Sequence, residues 1–150
     1  MPRPVPLPDI RSRRSHDCGP SAWRCVYSYH HGRNSRIVDL SNPVQGTDPA
    51  TLEALIRRDA NWHVVSGSAF INDLKHYCET WRPPICLMTF PGDEDSHYIC
   101  CGGVWRGRVY YQCSTEGWCA MPVSEFEAAW HAVGKYSQFE RWFLAAWPKA

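Results

Sequence analysis

A chain of 150 residues with a formal net charge of +1 has the size of one domain, which can bury a core without disulfides or bound metal. Nearly balanced charge argues against a dedicated nucleic-acid-binding protein, because such proteins normally present a basic face. No apolar run approaches the roughly 20 residues that span a membrane. We therefore expect residues 1–150 to form one domain that binds neither nucleic acid nor membrane.

The N-terminus reads MPRPVPLPDI, which is rich in proline and lacks the apolar core of a secretory signal peptide. We expect residues 1–10 to form an extended arm that lies on the surface of the domain. Without an export signal, the eight cysteines are expected to be reduced thiols. The predicted location is therefore the cytoplasm, or a virion if the protein is phage-encoded.

Four cysteines fall where a small apolar side chain suits a core, since a buried free thiol behaves as a small hydrophobe. They are Cys25 and Cys78 on helix faces and Cys86 and Cys100 in strands. The chain has no C-x-x-C pair, and the adjacent Cys100 and Cys101 would point to opposite faces of a strand. We therefore expect no metal site and no cofactor.

The first part of the chain predicts three helices. One follows Cys18, with apolar residues at helical spacing and Gly32 as its C-terminal stop. A second is expected to begin after an N-cap at Asp48, and a third after an N-cap at Ser68. Pro83-Pro84 ends the third helix, because proline cannot continue the helical hydrogen bonding.

The rest of the chain predicts mainly strands. His97–Trp105 is an apolar strand, Arg106-Gly107 a tight hairpin turn and Arg108–Cys113 the returning strand. Further expected elements are short strands at 62–65 and 85–90, a last helix capped by Ser124 and an ambiguous final strand within 139–147. Helices first and an antiparallel sheet after them indicate an α+β fold.

Cys18 and His97 are the candidate catalytic residues. A thiol at a helix N-terminus lies near the positive end of the helix dipole, which favours the nucleophilic thiolate. Gly19 is expected to leave room beside it for a substrate backbone. His97 opens an apolar strand directly after the loop 92–96, the layout that a Cys–His dyad needs. By position alone, Cys18 fits a buried structural cysteine equally well.

Four segments, in order, resemble the bacteriocin-processing (double-glycine leader) cysteine peptidases and their stand-alone relatives. The sequence DCGPSA at 17–22 looks like their nucleophile motif, and SHY at 96–98 with RVYY at 108–111 resembles their histidine strand and hairpin. SEFEAAW at 124–130 resembles their closing helix, and the middle of the chain fits as well. The likeness covers roughly residues 10–133.

The resemblance implies a papain-like fold, with N-terminal helices on an antiparallel sheet, Cys18 as nucleophile and His97 as base. In the family an Asp orients the histidine. The matching residue here is Cys113, sixteen positions beyond His97. A thiol is a weak hydrogen-bond partner without a fixed charge, and Gln112 and Glu116 are the substitutes nearby in sequence.

The family also uses a Gln before the nucleophile to help form the oxyanion hole. The matching positions hold Ser12 and Arg13, either of which can donate a hydrogen bond. The backbone N–H of Cys18 is a further candidate donor.

Two functions remain open at this point. The Cys18–His97 pair predicts a cysteine peptidase or related amide hydrolase, acting on a peptide or isopeptide bond of a peptide or protein substrate. The altered Cys113 position and the missing Gln predict instead a catalytically impaired papain-like module. Such a module would bind a partner in a larger assembly, for instance a phage virion or tail.

Overall fold

The computed structural model describes residues 3–11, 18–32 and 47–150, except for the side chain of Lys135. In chain order its elements are α1 (Cys18–His31), α2 (Pro49–Arg57), β1 (Trp62–Ser68), α3 (Ile71–Glu79), β2 (Ile85–Met88), β3 (His97–Trp105), β4 (Arg108–Cys113), β5 (Gly117–Pro122), α4 (Val123–Ala129), a short 3-10 helix (Gly134–Tyr136) and β6 (Trp142–Pro148). The predicted α+β class is confirmed. None of the helices formed by the described residues has the length and apolar character needed to cross a bilayer.

The end of α1 and the start of α2 lie where the sequence predicts them. Gly32 follows α1 with a φ of +69°, and its N–H donates a 2.7 Å hydrogen bond to the Ser28 carbonyl, so it closes the last turn. Asp48 caps α2, because its carboxylate accepts a 2.7 Å hydrogen bond from the Thr51 N–H. Both signals act within a few residues, which is why the sequence shows them.

Two predicted helix caps are wrong. Ser68 is the last residue of β1, and the N-cap of α3 is Phe70, whose N–H donates a 2.8 Å hydrogen bond to the Asp73 carboxylate. Ser124 lies inside α4, which begins one residue earlier. β1 pairs with β6 through Ser68, and β5 pairs with β4 up to Pro122, the residue directly before α4.

The sheet is antiparallel throughout and has the strand order β1-β6-β2-β3-β4-β5. The predicted bounds of β3 and β4 are confirmed, and the turn between them has positive φ at both Arg106 (51°) and Gly107 (75°), as a two-residue hairpin requires. The sequence did not predict β5. The ambiguous final segment becomes β6, which lies between β1 and β2 in the sheet.

Helices cover both faces of the sheet. On one face α1 and α2 pack against Tyr98 and Cys100, and on the other α3 and α4 pack against Ile99, Cys101 and Cys113. Because β3 is buried on both sides, its sequence is a continuous apolar run instead of an alternating one.

The four cysteines predicted to lie in the core are buried, as are Cys101 and Cys113. Cys18 and Cys119 are half-buried. In the folded protein a reagent in solution therefore reaches these two thiols in preference to the other six.

The N-terminal arm is packed more deeply than predicted. Residues 3–11 belong to no helix or strand, but Val5 is only 4% exposed and its N–H donates a 2.9 Å hydrogen bond to the Gly102 carbonyl of β3. Further along, the Pro8 carbonyl accepts a 3.5 Å hydrogen bond from the Cys25 thiol of α1. The arm therefore joins β3 to α1 as part of the folded core.

Candidate active site

Cys18 is the first residue of α1 and its side chain is half-buried. Burial raises the pKa of the Cys18 thiol above its ordinary value, although the backbone N–H groups of Tyr98, Cys18 and Gly19 act in the opposite direction. The start of the helix thus supplies the N–H groups that the sequence predicts. The expected preference for the thiolate is not realised, because burial raises the pKa of Cys18 more than these groups lower it.

The position of Gly19 differs from the expectation that it leaves room for a substrate. A Cβ atom at this position would lie 3.4 Å from Cβ of Thr47 and 3.4 Å from ring carbons of Tyr98. Tyr98 is itself held in place, because its hydroxyl donates a 2.7 Å hydrogen bond to the Thr47 carbonyl. A Cβ atom here would therefore make ordinary van der Waals contacts, and the side chains of Thr47 and Tyr98 border the space beside Gly19.

His97 is the first residue of β3 and pairs with Met88 of β2. Its side chain is 34% exposed, and its Nε2 atom lies 3.3 Å from Oδ2 of Asp93. The loop before His97 also carries Phe90, whose ring centroid lies 6.4 Å from the centroid of the imidazole. The imidazole thus stands at the edge of the protein with a carboxylate from the loop directly before it.

The starts of α1 and β3 adjoin each other. The Cys18 thiol contacts the backbone of Tyr98, the residue after His97, and α1 packs along β3. Within the described residues no hydrogen bond joins the Cys18 thiol to the His97 ring. The fold brings the two backbones together, and the catalytic dyad itself stays a prediction.

Cys113 is the last residue of β4 and stands directly opposite Ile99 of β3. Residues two apart along a strand share a face, so Cys113 and His97 belong to the same face of the sheet. The buried Cys113 sulfur lies 3.2 Å from the Thr115 hydroxyl oxygen. The position therefore holds a thiol on the face of His97, without a carboxylate.

Gln112 belongs to the opposite face of the sheet, as strand alternation predicts. The residue is buried, and its side-chain Nε2 donates a 2.8 Å hydrogen bond to Oδ1 of Asp9 in the N-terminal arm. Together with Tyr98, the Gln112 side chain lines a small gap beside α1. The Gln112 amide is therefore engaged by the arm. Glu116, the other nearby substitute, lies 4.0 Å from the Cys119 thiol.

The two predicted oxyanion residues, Ser12 and Arg13, lie outside the described residues, so their role stays a prediction. The described donors at the thiol are the backbone N–H groups of Cys18, Gly19 and Tyr98. Preorganised backbone N–H groups of this kind stabilise the oxyanion of acyl-transfer reactions.

An apolar groove of about 460 Å³ borders the loop before His97. It is lined by Thr89, Phe90, Pro91, Met121, Glu125, Ala128, Ala129 and His131. Because Phe90 also faces the His97 ring, the groove leads from the candidate site towards α4. Within the described residues, no cluster of three or more His, Cys, Asp or Glu side chains is arranged to hold a metal ion.

Asp93 is the residue of this site that the sequence does not single out. It belongs to the acidic run 93–95, which is typical of a solvated loop. The signal that could have found it is its spacing of four residues before His97, which a tight turn can bring into contact.

The sequence matches no protein-family model and no curated protein. Solved structures do match. A double glycine motif protease from an AMS/PCAT transporter, crystallised in complex with the leader peptide, aligns with a TM-score of 0.73 at 16% identity and covers 97% of this chain and 94% of that chain.

Two further structures align over a similar length. The peptidase domain of Streptococcus ComA has a TM-score of 0.70 at 18% identity and covers 93% of this chain and 97% of that chain. A C39-like peptidase from Bacillus anthracis has a TM-score of 0.71 at 14% identity and covers 96% of each chain. These matches show that the chain has the papain-like fold of double-glycine peptidase domains.

Proposed function

We propose that this chain, which has the fold of double-glycine peptidase domains, is a cysteine peptidase in which Cys18 attacks a peptide carbonyl and His97 transfers the proton. The observation that carries the proposal is the position of the thiol. Cys18 opens α1, is half-buried and lies against the residue that follows His97. The backbone N–H groups of Cys18 and Gly19 contact the same sulfur and act to lower the pKa of its thiol.

The reaction starts from a neutral thiol, because burial raises the pKa of Cys18. His97 acts as a general base that takes this proton while the sulfur attacks the carbonyl carbon. The imidazolium then gives the proton to the leaving amine as the C–N bond breaks, which leaves a thioester on Cys18. Water attacks the thioester, His97 accepts its proton, and the carboxylic acid and free thiol are released.

The substrate class that fits best is a leader-type peptide. The matching double glycine motif protease was crystallised with a leader peptide, which supports an extended peptide as the occupant of this fold. In this chain the apolar groove from Phe90 towards α4 offers a surface on which apolar side chains of such a peptide would be buried.

The proposal is tested with synthetic peptides that join varied leader sequences through Gly-Gly to a short cargo, followed by mass spectrometry. We expect cleavage after Gly-Gly by the wild-type protein and none by Cys18→Ala or His97→Ala. Cys119→Ser is the matched control, because Cys119 is the other half-buried thiol and lies outside the site. Its cleavage rate should equal that of the wild type. Cleavage that persists in Cys18→Ala would refute the assignment of the nucleophile.

A second candidate function is peptide binding without cleavage. The observation that favours it is Cys113, because loss of the acid from a catalytic triad can lower kcat by about 10⁴. In that case a Gly-Gly peptide would bind the wild type and Cys18→Ala with the same Kd by calorimetry, and no product would form in either sample. Product formation that depends on Cys18 excludes this candidate.

A further inference from the structure

We propose that Asp93 is the positioning residue for His97, and that it supplies from the preceding loop the carboxylate that β4 lacks at Cys113. The inference rests on the proposed function, since it assigns a role within the same site. It names a residue that lies on a different element from the position where the sequence resemblance places the acid.

Distances to Asp93 define its contact with His97 and its place in the preceding turn. Oδ2 of Asp93 lies 3.3 Å from Nε2 of His97, and the side chains are 26% and 34% exposed. The same carboxylate oxygen accepts a 3.0 Å hydrogen bond from the Phe90 N–H, and the Asp93 N–H donates 2.9 Å to the Phe90 carbonyl. This turn holds the carboxylate in place before any substrate binds.

A carboxylate at Nε2 decides which ring nitrogen can act as the base. An ionised carboxylate only accepts hydrogen bonds, so the 3.3 Å approach of Asp93 to Nε2 can close into a hydrogen bond only when the neutral ring carries its proton on Nε2. Nδ1 then holds the free lone pair that can take the proton of the Cys18 thiol. No described residue donates or accepts a hydrogen bond at Nδ1.

The carboxylate also stabilises the imidazolium that forms during the reaction. Because both side chains are partly exposed, solvent screens their attraction, and the main contribution of Asp93 is to orientation and tautomer. Cys113 cannot make either contribution, since its thiol carries no fixed charge and lies 3.2 Å from the Thr115 hydroxyl.

Asp93→Ala and Asp93→Asn form the informative pair of variants. The oxygen that accepts the Phe90 N–H also faces Nε2 of His97, so Asn keeps this acceptor and Ala removes it. Asp95→Asn is the matched control, because Asp95 is an exposed carboxylate of the same loop and its loss changes the net charge equally. We expect Asp93→Ala to lower kcat for Gly-Gly peptide cleavage at least about tenfold, while Asp93→Asn and Asp95→Asn retain most of it.

The second readout is the ¹⁵N NMR spectrum of the His97 ring, which identifies the protonated nitrogen without any substrate. We expect the neutral ring of the wild type and of Asp95→Asn to be protonated on Nε2, and Asp93→Ala to show a mixture of tautomers. A wild-type ring protonated on Nδ1, or identical spectra for Asp93→Ala and Asp95→Asn, would overturn the inference even if Asp93→Asn is too unstable to assay.

The two proposals fail in distinguishable ways. If the wild type cleaves peptides through Cys18 and Asp93→Ala retains full kcat, the role of Asp93 is wrong and the peptidase assignment stands. If the wild type cleaves no peptide, the peptidase assignment fails, and the tautomer spectrum alone decides whether Asp93 orients His97.

Discussion

The side-chain amide of the buried Gln112 donates a 2.8 Å hydrogen bond to Asp9, which ties the N-terminal arm to the end of β4. Arg11 extends this link, since its guanidinium contacts Asp9 at 2.6 Å and the Thr115 carbonyl at 3.0 Å. The hydrogen bond from Arg11 lowers the pKa of the Asp9 carboxyl, so the carboxylate stays charged at neutral pH. The arm therefore belongs to the structure around the candidate site.

Substitution of Gly103 should loosen the arm. A Cβ atom at Gly103, where φ is +155°, would lie 3.0 Å from Cα of Pro4. Gly67 has a similar φ of +149° and no atom within 4 Å of such a Cβ, so Gly67→Ala is the matched control for backbone strain. We expect Gly103→Ala to have a free energy of unfolding lower than that of Gly67→Ala by about 1–3 kcal/mol in urea. Equal stabilities, with equal proteolysis of the arm, would contradict this packing.

Thiol reactivity should separate the cysteines into two groups. In the native protein, Cys18 and Cys119 should react with a thiol reagent, and the other six of the eight cysteines only after unfolding. Cys18→Ser and Cys119→Ser should each remove one reactive equivalent, measured by absorbance and by mass spectrometry.

The pH dependence of the reaction between Cys18 and the thiol reagent tests whether the Cys18 thiol is neutral at pH 7. Burial raises the pKa of Cys18, so the folded protein has less thiolate at pH 7 than an exposed cysteine, and the alkylation rate should keep rising as the pH passes 9. A fast rate at pH 6 would instead show a preformed thiolate–imidazolium pair and would exclude the general-base mechanism.

Alkaline pH should destabilise the fold. Burial raises the pKa of Cys86 and Cys100 well above 9.0, the value expected in the unfolded chain. Above that pH the unfolded chain binds fewer protons than the folded one, so the free energy of unfolding falls as the pH rises, by about 1.4 kcal/mol per pH unit for each thiol. Urea unfolding at pH 7, 9 and 10 measures this slope.

Cys86→Ala provides the control for that slope. Removing one buried thiol should make the fall in stability between pH 9 and pH 10 smaller by about 1 kcal/mol, beyond the constant cost of the cavity. A slope identical to that of the wild type would mean that the Cys86 thiol ionises in the folded protein.

Ser96 should matter for the segment that precedes His97. Its hydroxyl oxygen accepts a 3.0 Å hydrogen bond from the Val133 N–H and lies 3.1 Å from the Thr89 hydroxyl, which donates to the His131 carbonyl. Ser96→Ala leaves the Val133 N–H without this acceptor, and we expect a loss of about 1–2 kcal/mol in the free energy of unfolding. Ser137→Ala, an exposed serine, should change stability by less than about 0.5 kcal/mol.

Features that depend on a few neighbouring residues were predictable. The Asp48 cap and the Arg106-Gly107 turn are local signals, and both lie where they were expected. The bounds of β3 followed from its continuous apolar run. In contrast, Ser68 has the composition of a helix cap, yet pairing with β6 makes it the end of a strand. Sheet pairing between distant segments overrides a weak local preference.

Local sequence patterns predicted the α+β class, a helix following Cys18 and a strand that starts at His97. Hydrophobic periodicity and turn chemistry act over a few residues, so they can be read along the chain. Three features emerge only in the folded protein: the pKa direction of Cys18, the link from Gln112 to Asp9 across 103 positions and the carboxylate beside His97. Burial and side-chain contacts arise from packing between elements, and the spacing of residues does not specify which groups that packing brings together.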